Sequence, residues 1–96
     1  MVRPRLCRKV KSNPDVNYFK PRGISLSELE EVVLHVEEFE AIRLKDLEGL
    51  EQESCANKMK ISQPTFHRLI ISARKKIADA IINGKAIKIE GGNYKI

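Results

Sequence analysis

The twenty residues from 52 to 71, QESCANKMKISQPTFHRLII, leave this chain few ways to fold. Cys55, Ala56 and Met59 share one face of a short helix, being three and four residues apart. Lys60-Ile61-Ser62 reads as a tight turn with Ile61 as its apolar plug. A second helix starting at Gln63 turns Phe66, Leu69 and Ile70 inward. Ser62 suits the N-cap of that helix, because its hydroxyl accepts a bond from a first-turn N–H. Pro64 falls where a missing N–H is harmless. Two helices crossing at a wide angle need a small residue where their backbones approach, and Ala56 supplies it. The pattern is that of a helix-turn-helix. Lys60 occupies the turn position that most often holds Gly, where a left-handed backbone costs about 1 kcal/mol, so either the turn differs slightly or the strain is tolerated.

The second helix does not stop at Ile71. Ala73, Ile77, Ala80 and Ile81 continue its apolar stripe, and Asn83-Gly84 is a helix stop, so one long helix is expected over 63–82. A preceding helix is expected over 36–47, with Val36, Phe39, Ile42 and also Leu44 and Leu47 as candidates for the core, ended by Gly49. Glu37, Glu38, Glu40 and Glu48 would make its outer face acidic, directed away from nucleic acid or toward a protein partner. Ser25-Leu26-Ser27-Glu28 has the form of a capping box opening a short helix over 26–32, while Val32-Val33-Leu34 suits helix or extended chain equally.

Charge is unevenly spread. Residues 1–22 hold seven Lys/Arg against one Asp, residues 23–55 two against ten acids, and residues 56–96 nine against two, for a net +5. Basic segments on both sides of an acidic one suggest a nucleic-acid face; mutual neutralisation within the fold is the plainer reading. Arg3, Arg5, Arg8 and Lys9 lie in an N-terminal arm whose prolines disfavour helix. Such an arm suits an A·T-rich minor groove or serves as a solubilising tail. Tyr18 and Phe19 read as an anchor for the arm, in an extended segment before Pro21. At the other end, Ala86 to Glu90 and Asn93 to Ile96 alternate about Gly91-Gly92, a β-hairpin signature. Such a hairpin needs a further partner, with residues 16–20 or a second subunit as candidates.

The helix expected at Gln63 offers Gln63, Thr65, His67 and Arg68 for reading base edges in a major groove. Gln63 suits adenine, Arg68 suits guanine or a phosphate, and His67 is equally a plain surface residue. Lys58, Ser62, Arg74, Lys75 and Lys76 are better placed for phosphates. Cys7, Cys55, His35 and His67 lack metal-ligand spacing, and no nucleophile–base pair or phosphate loop appears, so neither metal, cofactor nor catalysis is expected. With no apolar run of membrane length and no signal-peptide core, a cytoplasmic location is expected.

These residues carry a resemblance. From Leu34 to Ile81 the chain resembles region 4 of bacterial sigma factors. As a whole it resembles a family of small, uncharacterised prokaryotic proteins predicted to bind DNA. The matching elements are Arg3-Pro4-Arg5 with Cys7, Tyr18 to Pro21, Glu40 to Leu44, Asp46 to Gly49, Thr65-Phe66 with Arg68, Ala73 to Lys76, and Gly84 to Gly92. Lys60 and Gln63 depart from it, standing where a Gly and a basic residue are common. Some of the proteins it resembles carry a further domain of the type that binds iron–molybdenum cofactor; no ligand sensing is expected of these 96 residues.

The expected architecture is mainly α: a three-helix helix-turn-helix core with a long recognition helix, a short C-terminal β-hairpin and an extended basic N-terminal arm. Residues 1–22 form the arm and extended segment, 23–84 the helical domain and 85–96 the hairpin tail. The function expected is sequence-specific binding of double-stranded DNA and transcriptional regulation, with a homodimer plausible on two half-sites. The alternatives are a protein-interaction adaptor on the same scaffold and, more weakly, RNA binding through the arm.

Overall fold

The computed structural model describes residues 7–96. Arg3 and Arg5 therefore lie outside the described residues. In chain order the strands and helices are β1 (Arg8–Lys9), β2 (Tyr18–Phe19), β3 (Glu31–Leu34), α1 (Val36–Ile42), α2 (Gln52–Met59), α3 (Gln63–Asn83), β4 (Ala86–Ile89) and β5 (Tyr94–Lys95). A 3-10 turn, Leu26–Glu28, precedes β3, and a π-helical turn, Arg43–Leu47, prolongs α1.

Helix α3 is the spine. Its first half buries Phe66 and Ile70 against Ala41, Leu44, Cys55, Ala56 and Met59. Its second half buries Ala73, with Ile77 beside it, against Val10, Leu34, Val36 and Ile89. Ser62 caps it as the sequence suggests: its Oγ accepts from the Thr65 N–H at 3.2 Å. Gly84, left-handed at φ 65°, ends it. Between α2 and α3, Lys60 sits at φ 56° and ψ 46°. A β-carbon is disfavoured there by about 1 kcal/mol. Lys60→Gly should therefore raise the urea midpoint by an amount equivalent to about 0.5–1 kcal/mol, the larger backbone entropy of Gly in the unfolded chain offsetting part of the relief. An unchanged or lower midpoint would show that the turn is not strained.

The tail is not a hairpin. Strands β4 and β5 do not pair with each other. Strand β4 lies between β2, antiparallel, and β3, parallel, while β5 runs parallel to β1. The glycines explain the difference. Gly91 and Gly92 both take positive φ and carry the chain over the start of α1, where the Gly91 carbonyl accepts from the Val36 N–H. A β-carbon on Gly92 would lie 1.8 Å from Glu37 Oε1. The expected partner segment for the tail was sound, since Tyr18 and Phe19 pair with Lys88 and Ile87.

Three further expectations are corrected. Only Leu26–Glu28 of the expected helix over 26–32 is helical, and it is a 3-10 turn. The β-branched run after it is drawn into the sheet, with Val32 opposite Ile87 and Leu34 opposite Ile89. Leu47 is 81% exposed, because the widened turn rotates it away from the core. The arm does not run free from Arg8 onward: β1 pairs with β5, and Val10 is 1% exposed within the core.

Candidate nucleic-acid interface

One face of the first two turns of α3 stands clear of the core. Gln63, His67 and Arg68 are exposed and Thr65 is half-buried, while Phe66 between them is fully buried. This follows from the helical period, since Phe66, Ile70 and Ala73 claim one face and leave the opposite one to solvent. Thr65 Oγ1 accepts from Ser62 Oγ at 2.9 Å and from Arg68 Nη2 at 3.4 Å, so the guanidinium leans toward the helix start. The Gln63 carbonyl accepts from Gln52 Nε2 at 3.4 Å, linking the beginnings of α2 and α3. Ser62 is occupied as the cap and as donor to Thr65, which limits what its hydroxyl can offer a ligand.

The cations assigned to phosphates divide into two groups. Arg74 is paired with Asp46 through two contacts, at 2.5 and 3.0 Å, and Lys76 with Glu38 at 2.7 Å. Arg74 holds the Asp46 carboxyl below the usual carboxylate range. These two side chains tie α3 to the segment before α2 and to α1. Lys58 and Lys75 are exposed and stand in no ion pair among the described residues. Seven residues separate Arg68 from Lys75, two helical turns, so the two cations share a face. Arg74 lies well round the helix from both.

The arm contributes through its strand. Residues alternate sides along β1 and its continuation, so Lys9 and Lys11 point one way and Val10 the other, into the core. The Lys11 N–H donates to Glu40 Oε2 at 2.9 Å. This docking places Lys9 and Lys11 in one cleft with Lys58 of α2 and with Arg43, over Glu40 and Glu48. Arg43 is spent within the cleft, bonded to Glu40 at 2.6 and 3.0 Å and to Glu48. The three lysines are left to face a ligand. Lys11 was not among the residues expected here; the i, i+2 spacing of Lys9 and Lys11 about an apolar residue is the signal that marks it. Arg8 packs in the same strand on its own contacts.

The acidic outer face expected on α1 does not exist as such. Glu37, Glu38 and Glu40 are 5%, 3% and 5% exposed. Each clamps a different part of the chain: Glu37 accepts from the Asn93 N–H, Glu38 from Ser72, Lys76 and the His35 N–H, and Glu40 from Lys11 and Arg43. A seven-residue helix enclosed by the arm, the long helix and the C-terminal loop leaves only Phe39 and Ile42 partly open to solvent. Glu48 stays exposed. Burial works against the charged form of Glu38, but its bonds from Lys76, Ser72 and the His35 backbone outweigh it and hold the carboxyl below the ordinary range.

Cys55 is buried at the α2 contact, and burial pushes its thiol up, as for a small core residue. Among the described residues no His, Cys, Asp and Glu come together as a metal site, and no helix is long and apolar enough to cross a membrane.

Comparison with known proteins places the chain among relatives. The sequence model described as "Protein of unknown function DUF134" matches residues 1–96. UPF0251 protein TTE1845 of Caldanaerobacter subterraneus subsp. tengcongensis is 70% identical over 96 residues, which span all of this chain and 81% of that protein. UPF0251 proteins of Pelotomaculum thermopropionicum and Moorella thermoacetica are 60% and 62% identical over the whole chain, covering 73% and 64% of their own lengths. No solved structure matches.

Proposed function

The chain belongs to the DUF134 (UPF0251) family, and from its residues we propose that it is a sequence-specific DNA-binding protein, a cytoplasmic transcriptional regulator that reads a major groove with the start of α3. The observation that carries the reading is the pairing of a left-handed turn at Lys60 and a capped, 21-residue α3 with an exposed first face of Gln63, His67 and Arg68. In this reading α2 and α3 are the two helices of a helix-turn-helix like that of sigma region 4. An α-helix fits the major groove, where donors and acceptors distinguish all four base pairs. Arg68 and Gln63 read bases, with Thr65 and His67 beside them. Lys75, on the face of Arg68, holds phosphate, as does the cleft of Lys9, Lys11 and Lys58. Arg74 and Lys76 serve the fold first, and a phosphate would have to compete with Asp46 and Glu38 for them. A protein-interaction adaptor would present an acidic middle and an apolar patch; three of the four glutamates of that acidic face are buried, while Phe19, Ile81 and Ile82 are exposed. No catalytic step belongs to this proposal.

The test is selection from a pool of short duplexes across a salt series. The wild type should enrich one sequence, with affinity falling linearly in log salt. Arg68→Ala should relax preference at one position by about 1–3 kcal/mol. Lys75→Ala should weaken all sequences alike and reduce the salt slope by about 1. Paired Lys9→Ala and Lys11→Ala changes should also weaken all sequences alike and reduce the salt slope by about 2. Binding no tighter than that of an equally basic control protein would overturn the reading.

A further inference from the structure

The opposite end of α3 presents a different surface. Ile81 and Ile82 are 71% and 78% exposed, and Phe19 of β2 is 51% exposed. Phe19 and Pro21 form one wall of an open groove whose other side is Ala80, Ile81 and Ile87. An exposed Ile81 beside an exposed aromatic, with the exposed Ile82 next in the chain, marks an interaction surface rather than scattered surface residues. The groove is apolar and lies at the far end of α3 from Gln63, so it suits a protein and not a nucleic acid.

Charge at its margins says which protein. Lys20 lines the groove at the β2 end and Arg22 follows it. Across the start of β4 from Lys20, Gly84 and Lys85 line both this groove and an adjoining hollow that they share with Glu28 and Glu30. Lys85 there is already held by Asp79 at 3.0 Å and Glu30 at 3.6 Å, which leaves that margin acidic. A patch with an apolar centre, one basic margin and one acidic margin is complementary to itself under a two-fold rotation: each basic margin then meets the partner's acidic one.

We propose that the Phe19–Ile81–Ile82 surface is the interface of a two-fold homodimer, with Lys20 and Arg22 of one copy facing Glu28 and Glu30 of the other. The arrangement fits the DNA reading on which its purpose rests. A 21-residue helix is about 30 Å long. Two of them meeting at their C-terminal ends would have to diverge by roughly 65–70° for their first turns to lie about 34 Å apart, one turn of B-DNA. Dimerisation itself is measured without DNA, so its failure and that of the DNA reading are separable.

The experiment is sedimentation equilibrium of the 96-residue chain from about 1 to 300 µM. The wild type should reach twice the 11.0 kDa chain mass. Ile81→Glu, at a site exposed enough to leave the fold intact by circular dichroism, should remain at the chain mass throughout. Lys20→Glu with Arg22→Glu should weaken the dimer at least tenfold, and adding Glu28→Lys with Glu30→Lys should restore it. A wild type that stays monomeric, leaving the patch to another protein or to a segment outside these residues, would overturn the proposal. So would a dimer indifferent to Ile81→Glu, or a charge reversal that the second pair of changes does not rescue.

Discussion

Phe66→Ala is expected to destabilise the protein by about 3–5 kcal/mol, the usual effect of truncating a fully buried aromatic. Phe66 has no exposed surface, and it closes the cluster in which Ala41, Leu44, Cys55 and Met59 meet α3. Small domains are stable by only about 5–15 kcal/mol, so the loss consumes much of the margin. The size of the effect comes from position more than from chemistry. Ile71, on the same helix and half exposed, should tolerate Ala within about 0.5 kcal/mol. Urea unfolding of both variants checks the pair, and similar losses at the two positions would contradict the packing described. The same comparison separates stability from function, because Arg68→Ala should lose sequence preference while unfolding like the wild type.

The contrast between Phe66 and Ile71 is legible in the sequence alone, because a 21-residue helix repeats its period several times; of the stripe expected beyond them Ala73 and Ala80 are buried, but Ile81 is 71% exposed. Its start and end are legible too, from Ser62, Pro64 and Gly84, each acting on neighbours within a few residues. At Lys60 the sequence leaves a different turn and a strained one open, and its φ of 56° decides for the second. What escapes is non-local. Strand β3 is four residues long, too short to show a period, and it becomes a strand only because β4 lies parallel beside it. Ile87 and Ile89 alternate as a hairpin strand would, yet nothing in residues 85–96 records that β1 and β2 compete successfully for the two halves of the tail. The cleft at Lys58 escapes for the same reason, since it forms only when residues 9–11 dock beside α2. Gln63 and Arg68 belong to a local helix start, so their exposure follows from the pattern alone.

The glutamates of α1 show the limit most sharply, because the usual rule that charged residues face outward gave the wrong side. Glu38 should also make the fold sensitive to acid. Its carboxylate accepts from Ser72 Oγ at 2.6 Å, from Lys76 Nζ at 2.7 Å and from the His35 N–H at 2.9 Å, fastening α1 to α3. Truncating it strands three donors. Breaking a fully buried ion pair costs about 3–5 kcal/mol. Lys76 still reaches water, being about a third exposed, so Glu38→Ala should cost about 2–3 kcal/mol at pH 7. The pH dependence has a definite sign. The folded carboxyl titrates below its ordinary range. Its contribution is therefore complete above the unfolded value of about 4.3 and disappears as the pH falls through the folded value. Urea midpoints of the wild type and Glu38→Gln, compared from pH 7 to pH 3, should differ by a constant amount down to about pH 5 and then converge, because protonation gives the wild type the neutral side chain the variant already has. A gap that persisted unchanged to pH 3 would mean that the carboxylate's charge contributes nothing to holding the helices together, and that Glu38 acts only by filling space.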